Sequence, residues 1–159
     1  MSAENTLDKV KKLRELTGVG FKDCKSAIDE TKGDIEKSIE FLRKKGIAKA
    51  NKKMERVAAD GLVAIYENKN KFSIIEINSE TDFVAKNKEF IEFVEEISKL
   101  ALSNSGKVES ILTSKMKNEK NVKENLVLLI SKIGEKISIR RSDFLDSGKY
   151  INFSYTHSE

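Results

Sequence analysis

The sequence contains few of the side chains from which metal centres and catalytic pairs are built. Among 159 residues there is one cysteine, Cys24, and one histidine, His157. A single cysteine excludes an intramolecular disulfide framework and a cysteine-based zinc site. Because His157 lies two residues from the end of the chain, a multi-histidine metal centre and a cysteine–histidine catalytic pair are not expected either. An enzyme is therefore the least expected class of protein.

Phosphate-binding loops and long apolar runs are absent as well. None of the eight glycines forms a GxxxxGK[ST] or a GxGxxG pattern, so this chain itself is not expected to bind a nucleotide. No apolar run approaches the roughly 18 residues that cross a bilayer. The first residues have neither the basic and then apolar order of a signal peptide nor an Arg- and Ser-rich leader. We expect a cytoplasmic protein with no membrane contact.

The residues that are present favour a folded chain of one or two domains. Hydrophobic residues make up 38% of the sequence and charged residues of mixed sign make up 35%, which argues against disorder. The formal net charge of +4 is confined to residues 1–60, which hold 15 basic and 11 acidic side chains. Its densest part is 43–56, with seven cations and one acid. No aromatic residue interleaves with these cations, so a linker is favoured over a nucleic-acid interface.

Hydrophobic spacing divides the chain into a helical and a mixed part. Residues 1–45 show three short helical patterns bounded by Asn5 or Thr6, Gly18, Gly33, Asp34 and Gly46, which predict a three-helix bundle. Residues 46–57 are interpreted as the basic linker. From residue 58 onward the pattern predicts an α+β fold. Its elements are a hairpin over 62–66 and 72–77 around a polar turn at 67–71, helices over 86–103, 108–112 and 122–133, and strands over 137–144 and 150–155.

Two connecting segments are candidates for function. In the first, Gly18 and Gly20 allow a tight turn from which Val19 and Phe21 would project as an apolar tip for docking a partner. The alternative is that Phe21 is a core residue beneath the turn. In the second, Asp82 and Phe83 lie side by side between the hairpin and the long helix. The alternative there is a helix cap with the ring packed beneath it.

The order of these segments resembles the bacterial elongation factor Ts family, which exchanges nucleotide on elongation factor Tu. The resemblance covers essentially the whole chain. Its most specific part is the run Thr81–Lys86, which follows the predicted hairpin. The matching stretches are Val10–Gly18, Asp23–Lys25, Gly33–Glu36, Val57–Gly61, Thr81–Lys86 and Lys132–Glu135.

The resemblance implies a partner and the residues that contact it. The first 45 residues would form a ubiquitin-associated-like module that docks on the nucleotide-binding domain of elongation factor Tu. The loop around Asp82 and Phe83 would insert between two helices of that GTPase and disturb its Mg²⁺ and phosphate site. The predicted contacts are Arg14, Val19, Phe21, Lys22 and Lys25 in the module, Thr81, Asp82, Phe83 and Val84 in the loop, and Ile133 and His157 elsewhere.

Further expectations follow from the same resemblance. The factor would need no cofactor of its own, since it acts on the GDP and Mg²⁺ that the partner holds and breaks no bond. Family members continue into a second core half, so we expect this sequence to be a fragment that lacks that half. The alternative functions are a ubiquitin-associated-like adaptor, which would account for residues 1–45 only, and then a nucleic-acid-binding protein. A homodimer is not predicted.

Overall fold

A computed structural model describes residues 5–150, 153 and 155 of the chain. Within these residues, helices and an antiparallel sheet of order β1-β2-β3 confirm the predicted α+β class. The predicted strand over 150–155 falls largely outside the described residues, and His157 lies outside them too. The elements are α1 Thr6–Thr17, α2 Phe21–Glu30, α3 Ile35–Lys53, β1 Asp60–Asn68, β2 Lys71–Ser79, α4 Asp82–Ala85, α5 Lys88–Ser103, α6 Val108–Thr113, α7 Val122–Ile133 and β3 Ile137–Asp146.

The chain divides into two compact units. The first holds the described part of Met1–Arg56 together with Leu126–Lys136. The second holds Val57–Asn125 and the described part of Ile137–Glu159. The division therefore passes through α7, whose second half belongs with the N-terminal helices.

The core of the first unit follows the helical spacing of the sequence. The helix α1 starts after Asn5 and ends at Gly18, whose φ of 65° and hydrogen bond to the Arg14 carbonyl make it a left-handed C-terminal cap. The side chain of Asp34 caps α3 by accepting from the Lys37 amide. The buried side chains that pack together are Val10, Leu13, Val19, Cys24, Ala27, Ile28 and Leu42.

The prediction that the third helix ends at Gly46 is wrong. Helix α3 continues to Lys53, so residues 46–53 of the predicted basic linker are helical. Gly46 is buried, and a Cβ added there would lie 2.7 Å from Ser131 Oγ and 3.6 Å from Val127 Cγ1 of α7. The glycine therefore permits a close helix crossing rather than ending the helix.

The second unit is built on the sheet. Strands β1 and β2 pair from Asp60↔Ser79 to Asn68↔Lys71, which leaves a two-residue turn, shorter than the predicted one. Lys69 in that turn has a φ of 58°. Helix α5 contacts all three strands and buries the face predicted for it, Phe90, Val94, Ile97 and Ala101. Ser73 Oγ on β2 donates to the Ser98 carbonyl of α5 over 2.6 Å.

A bulge between β2 and β3 directs two arginines to one carboxylate. Glu76 pairs with Arg141 and Ile77 with Ile139, so Arg140 is the extra residue. Arg140 Nη1 and Arg141 Nε lie 2.7 and 2.6 Å from the Glu76 carboxylate oxygens, and the Glu76 side chain is 12% exposed. The hydrogen bonds from Arg140 and then Arg141 lower the pKa of Glu76 from 4.5 to about 2.

We expect the stability that Glu76 provides to depend on pH in the acid range. Because folding lowers its pKa from 4.5 to about 2, its contribution is complete above pH 4.5 and is lost as the pH falls toward 2. Urea unfolding of the wild-type chain and of Glu76→Gln should therefore differ most at neutral pH and converge in acid. A difference that does not change with pH would contradict this assignment. Glu67→Gln on β1 is the matched control.

Candidate functional site

The segment 80–87 connects β2 to α5 and is fixed at both ends. At the start, Ser79 Oγ donates to the Thr81 carbonyl over 3.0 Å. At the end, Asn87 Oδ1 accepts from the amides of Glu89 and Phe90, at 2.9 and 3.3 Å, and so caps α5. The single turn α4 lies between these anchors and contacts β1, β2 and α5. Rigid elements therefore set the direction in which its side chains point.

Two neighbouring side chains of α4 differ sharply in exposure. Val84 is 6% exposed and packs inward, whereas Phe83 is 80% exposed. The ring therefore does not pack beneath the turn, which excludes the alternative of a purely structural phenylalanine. Thr81 occupies the N-cap position of α4 with an extended backbone, and its side chain makes no capping hydrogen bond. A large apolar ring held in solvent by a buried neighbour is suited to contact with another protein.

Asp82 adds a negative charge beside this ring. Its Oδ2 lies 2.9 Å from Lys86 Nζ, and both side chains are more than half exposed. The hydrogen bond from Lys86 lowers the pKa of Asp82, and the same contact raises the pKa of Lys86. An aspartate is ionised at neutral pH in any case, and the contact with Lys86 favours this form further. This contact of Lys86 was not predicted from the sequence, although an acid and a base four residues apart are a signal for such a pair.

Two side chains were predicted to project from the turn between α1 and α2, and of these Phe21 is exposed and Val19 is buried. Phe21 is 45% exposed at the start of α2, as predicted, and the alternative of a core Phe21 is wrong. Val19 is 7% exposed, so the prediction that it projects is wrong. Its backbone carbonyl accepts from the buried Cys24 Sγ over 3.3 Å, which holds Val19 against the core. Burial raises the pKa of the Cys24 thiol.

Exposed cations accompany Phe21. Lys22 and Lys25 lie on α2, the latter four residues from Phe21, and Arg14 lies in the last turn of α1. The adjacent Asp23 is engaged by α3, with its carboxylate oxygens 3.1 Å from Lys45 Nζ and 2.7 Å from Lys49 Nζ. The hydrogen bond from Lys49 is the main cause that lowers the pKa of Asp23. The tip therefore offers an apolar ring and exposed positive charge.

The remaining predicted residues are distributed between the two units. Ile133 is the half-buried last residue of α7 and belongs to the first unit, with Arg14, Val19, Phe21, Lys22 and Lys25. Thr81, Asp82, Phe83 and Val84 belong to the second. His157 lies outside the described residues. The predicted contacts that the structure describes are thus divided between the two units.

The described residues contain neither a metal-binding cluster nor a membrane-spanning helix. Over 5–150, 153 and 155, His, Cys, Asp and Glu side chains form no group of three or more that could hold a metal ion. In the same part of the chain, every helix is too short or too polar to span a membrane.

Comparison with known proteins gives a consistent family. A family model described as "Elongation factor TS" matches residues 80–159. A protein named Elongation factor Ts from Xanthobacter autotrophicus is 50% identical over 149 residues, which are 93% of this chain and 48% of that protein. A protein of the same name from Methylobacterium radiotolerans is 46% identical over 99% of this chain. Another, from Clostridium perfringens, is 49% identical over 96% of this chain. In both cases the match covers 51% of the relative's own length. The chain thus spans about half the length of these relatives.

Proposed function

The chain belongs to the elongation factor TS family, and from this we propose that it acts in translation elongation as a guanine nucleotide exchange factor for elongation factor Tu. The observation that carries the proposal is Phe83, an 80% exposed ring on a turn anchored at both ends. Translation takes place in the cytoplasm, which is where we propose that the chain acts.

Phe83 is the proposed wedge. The ring would enter between two packed helices of the GTPase domain, and packed helices tend to switch between discrete arrangements rather than deform continuously. Burial of an exposed ring against the partner supplies free energy for such a shift. Val84 and the two anchors of the segment would keep the ring from folding back into its own unit.

Asp82 is the proposed electrostatic element. It is negatively charged at neutral pH, as an aspartate ordinarily is, and the hydrogen bond from Lys86 lowers its pKa further. A carboxylate brought close to the Mg²⁺ and phosphates of a bound nucleotide would alter the charge and hydrogen bonding that hold them. Thr81 and Val84 would set the direction of Asp82 and Phe83.

Exchange then results from differential binding. A factor that prefers the nucleotide-free GTPase must, by linkage, lower the affinity for GDP by the same factor. No covalent bond forms or breaks, so we propose an exchange factor that is not an enzyme and needs no cofactor. The GDP and Mg²⁺ belong to the partner.

The tip of the first unit is proposed to contribute affinity. Phe21 would be an apolar anchor, and Arg14, Lys22 and Lys25 would add favourable electrostatics around it. Ile133 would extend this contact. Val19, being buried, would support the turn rather than touch the partner.

We expect Phe21→Ala to weaken the complex with elongation factor Tu by about 1–3 kcal/mol, as loss of an interface anchor does. Isothermal titration calorimetry measures the change. Leu7→Ala, which truncates another half-exposed apolar side chain on α1, is the matched control. Unchanged binding by a folded Phe21→Ala variant would remove this residue from the contact.

A binding equilibrium tests the proposed function itself. The chain should bind nucleotide-free elongation factor Tu more tightly than the GDP-bound form, and the ratio of the two affinities should equal the reduction in GDP affinity that it causes. Equal affinity for both forms would show binding without exchange. Binding that falls steeply with salt and is matched by binding to nucleic acid would instead favour the nucleic-acid alternative.

A further inference from the structure

Two lysines join the ends of helices α3 and α7 reciprocally. Lys53, the last residue of α3, donates from Nζ to the carbonyl oxygen of Gly134, which directly follows the last residue of α7. Lys136 donates from Nζ to the carbonyl oxygens of Met54 and Arg56, just past the end of α3, over 2.7 and 2.8 Å. Each helix end therefore supplies a cation to the other. We call these contacts the lysine clamp.

The clamp has a clear physical basis. The last carbonyls of a helix lack hydrogen-bond partners within the helix and carry partial negative charge. Two such ends brought together repel each other unless donors or cations satisfy them. Lys53 and Lys136 place their ammonium groups at these ends and donate to carbonyls of residues just past the helices. Hydrogen bonds from a charged donor are stronger than those between neutral groups.

The end of α7 also lies against the turn that leads to Phe21. A Cβ added at Gly18 would lie 3.1 Å from Lys132 Nζ and 3.2 Å from Lys132 Cε. Ile133 therefore lies between Lys132, which is close to Gly18, and Gly134, whose carbonyl accepts from Lys53. Deeper in the same pair of helices, buried Gly46 allows α3 to approach Ser131.

We propose that Lys53 and Lys136 are positioning residues that fix Ile133 beside the α1–α2 tip, so that Ile133 and Phe21 meet the partner as one preorganised surface. The identity of the partner rests on the proposed function. The clamp itself is a property of the free chain. Preorganisation raises affinity because less freedom is lost on binding.

Hydrogen exchange on the free chain tests the clamp. Lys136→Met keeps most of the apolar stem but loses the two charge-assisted hydrogen bonds to the Met54 and Arg56 carbonyls. Amides of 50–53 and 130–134 should therefore exchange about tenfold faster or more. Amides of α2, which lies in the same unit as the clamp, should be unchanged, which shows that the rest of this unit remains folded. Lys136→Arg should restore protection. Lys123→Met, at an exposed position near the start of α7, is the matched control and should have no effect. Unchanged exchange in Lys136→Met would overturn the proposal.

A double-mutant cycle tests the link to binding. Affinity for elongation factor Tu should fall about three- to tenfold in Lys136→Met, and Ile133→Ala should then cost less than it does in the wild-type chain. If the two losses simply multiply, the clamp does not position Ile133 and the proposal is wrong. If the wild-type chain does not bind elongation factor Tu, the proposed function fails, and hydrogen exchange alone decides whether the clamp holds the helix ends.

Discussion

Replacing Phe83 by alanine should slow chain-stimulated GDP release from elongation factor Tu by about 10- to 100-fold, the loss expected when a central interface anchor is truncated. The stability of the chain itself should change by no more than about 0.5 kcal/mol, since the ring is 80% exposed and contributes little to the core. GDP release and thermal unfolding, measured on the same preparation, check both parts.

The control for this result is another exposed ring of the same unit. Tyr150→Ala removes an aromatic side chain that is also 80% exposed but lies outside the proposed loop. It should leave GDP release unchanged. Val84→Ala should differ from Phe83→Ala in its effect on the fold: because Val84 is buried, the chain should lose about 1–2.5 kcal/mol of stability. Full exchange activity in a folded Phe83→Ala variant would contradict the wedge.

Replacing Gly61 by alanine should have the largest effect on the fold. Gly61 has a φ of 137°, and an added Cβ would lie 2.1 Å from the Ile77 carbonyl oxygen and 2.7 Å from Asn78 Cα. Both obstacles are backbone atoms of β2, two to three residues before segment 80–87, and cannot rotate away. We expect a loss of about 3 kcal/mol or more in the free energy of unfolding, measured by urea titration.

Gly148→Ala distinguishes the two causes of this loss, which are positive-φ backbone strain and the clash of the added Cβ with β2. Gly148 has a φ of 57°, but nothing lies within 4 Å of its added Cβ, so it reports the cost of left-handed backbone alone. That cost should be about 1–2 kcal/mol. If Gly61→Ala costs no more than Gly148→Ala, β2 must yield without loss of the strand pairing, and the rigidity assigned to the end of β2 is wrong.

Local patterns were sufficient to predict most of the fold. The apolar stripe of α5 and the glycine at the end of α1 depend on residues within one or two turns, and both are as predicted. Gly46 shows where such reasoning fails. The same residue can end a helix or admit a neighbouring one, and only the distant Ser131 decides between them. The spacing of Gly46 and Ala50, two small buried residues four apart, was the available signal.

In the candidate site, too, features set by nearby residues were predicted and features set by distant contacts were not. The sequence indicated that Asp82 and Phe83 lie on an anchored loop, and the structure places Phe83 in solvent. From the sequence, a buried Val19 and an exposed Phe21 could not be distinguished, because which of the two is buried depends on Cys24 and on packing across the helices. The sequence also contained no sign of the lysine clamp, because Lys53 and Lys136 are 83 residues apart in sequence and meet only through the crossing of α3 and α7.

The proposed exchange activity is tested by the rate at which labelled GDP leaves elongation factor Tu, measured with and without this chain over a titration of Mg²⁺. We expect the chain to accelerate release. Asp82→Asn should reduce the acceleration by a factor that changes with Mg²⁺ concentration, because the carboxylate is proposed to act near the metal. A release rate that the folded wild-type chain does not change at any Mg²⁺ concentration would contradict the claim that it carries exchange activity.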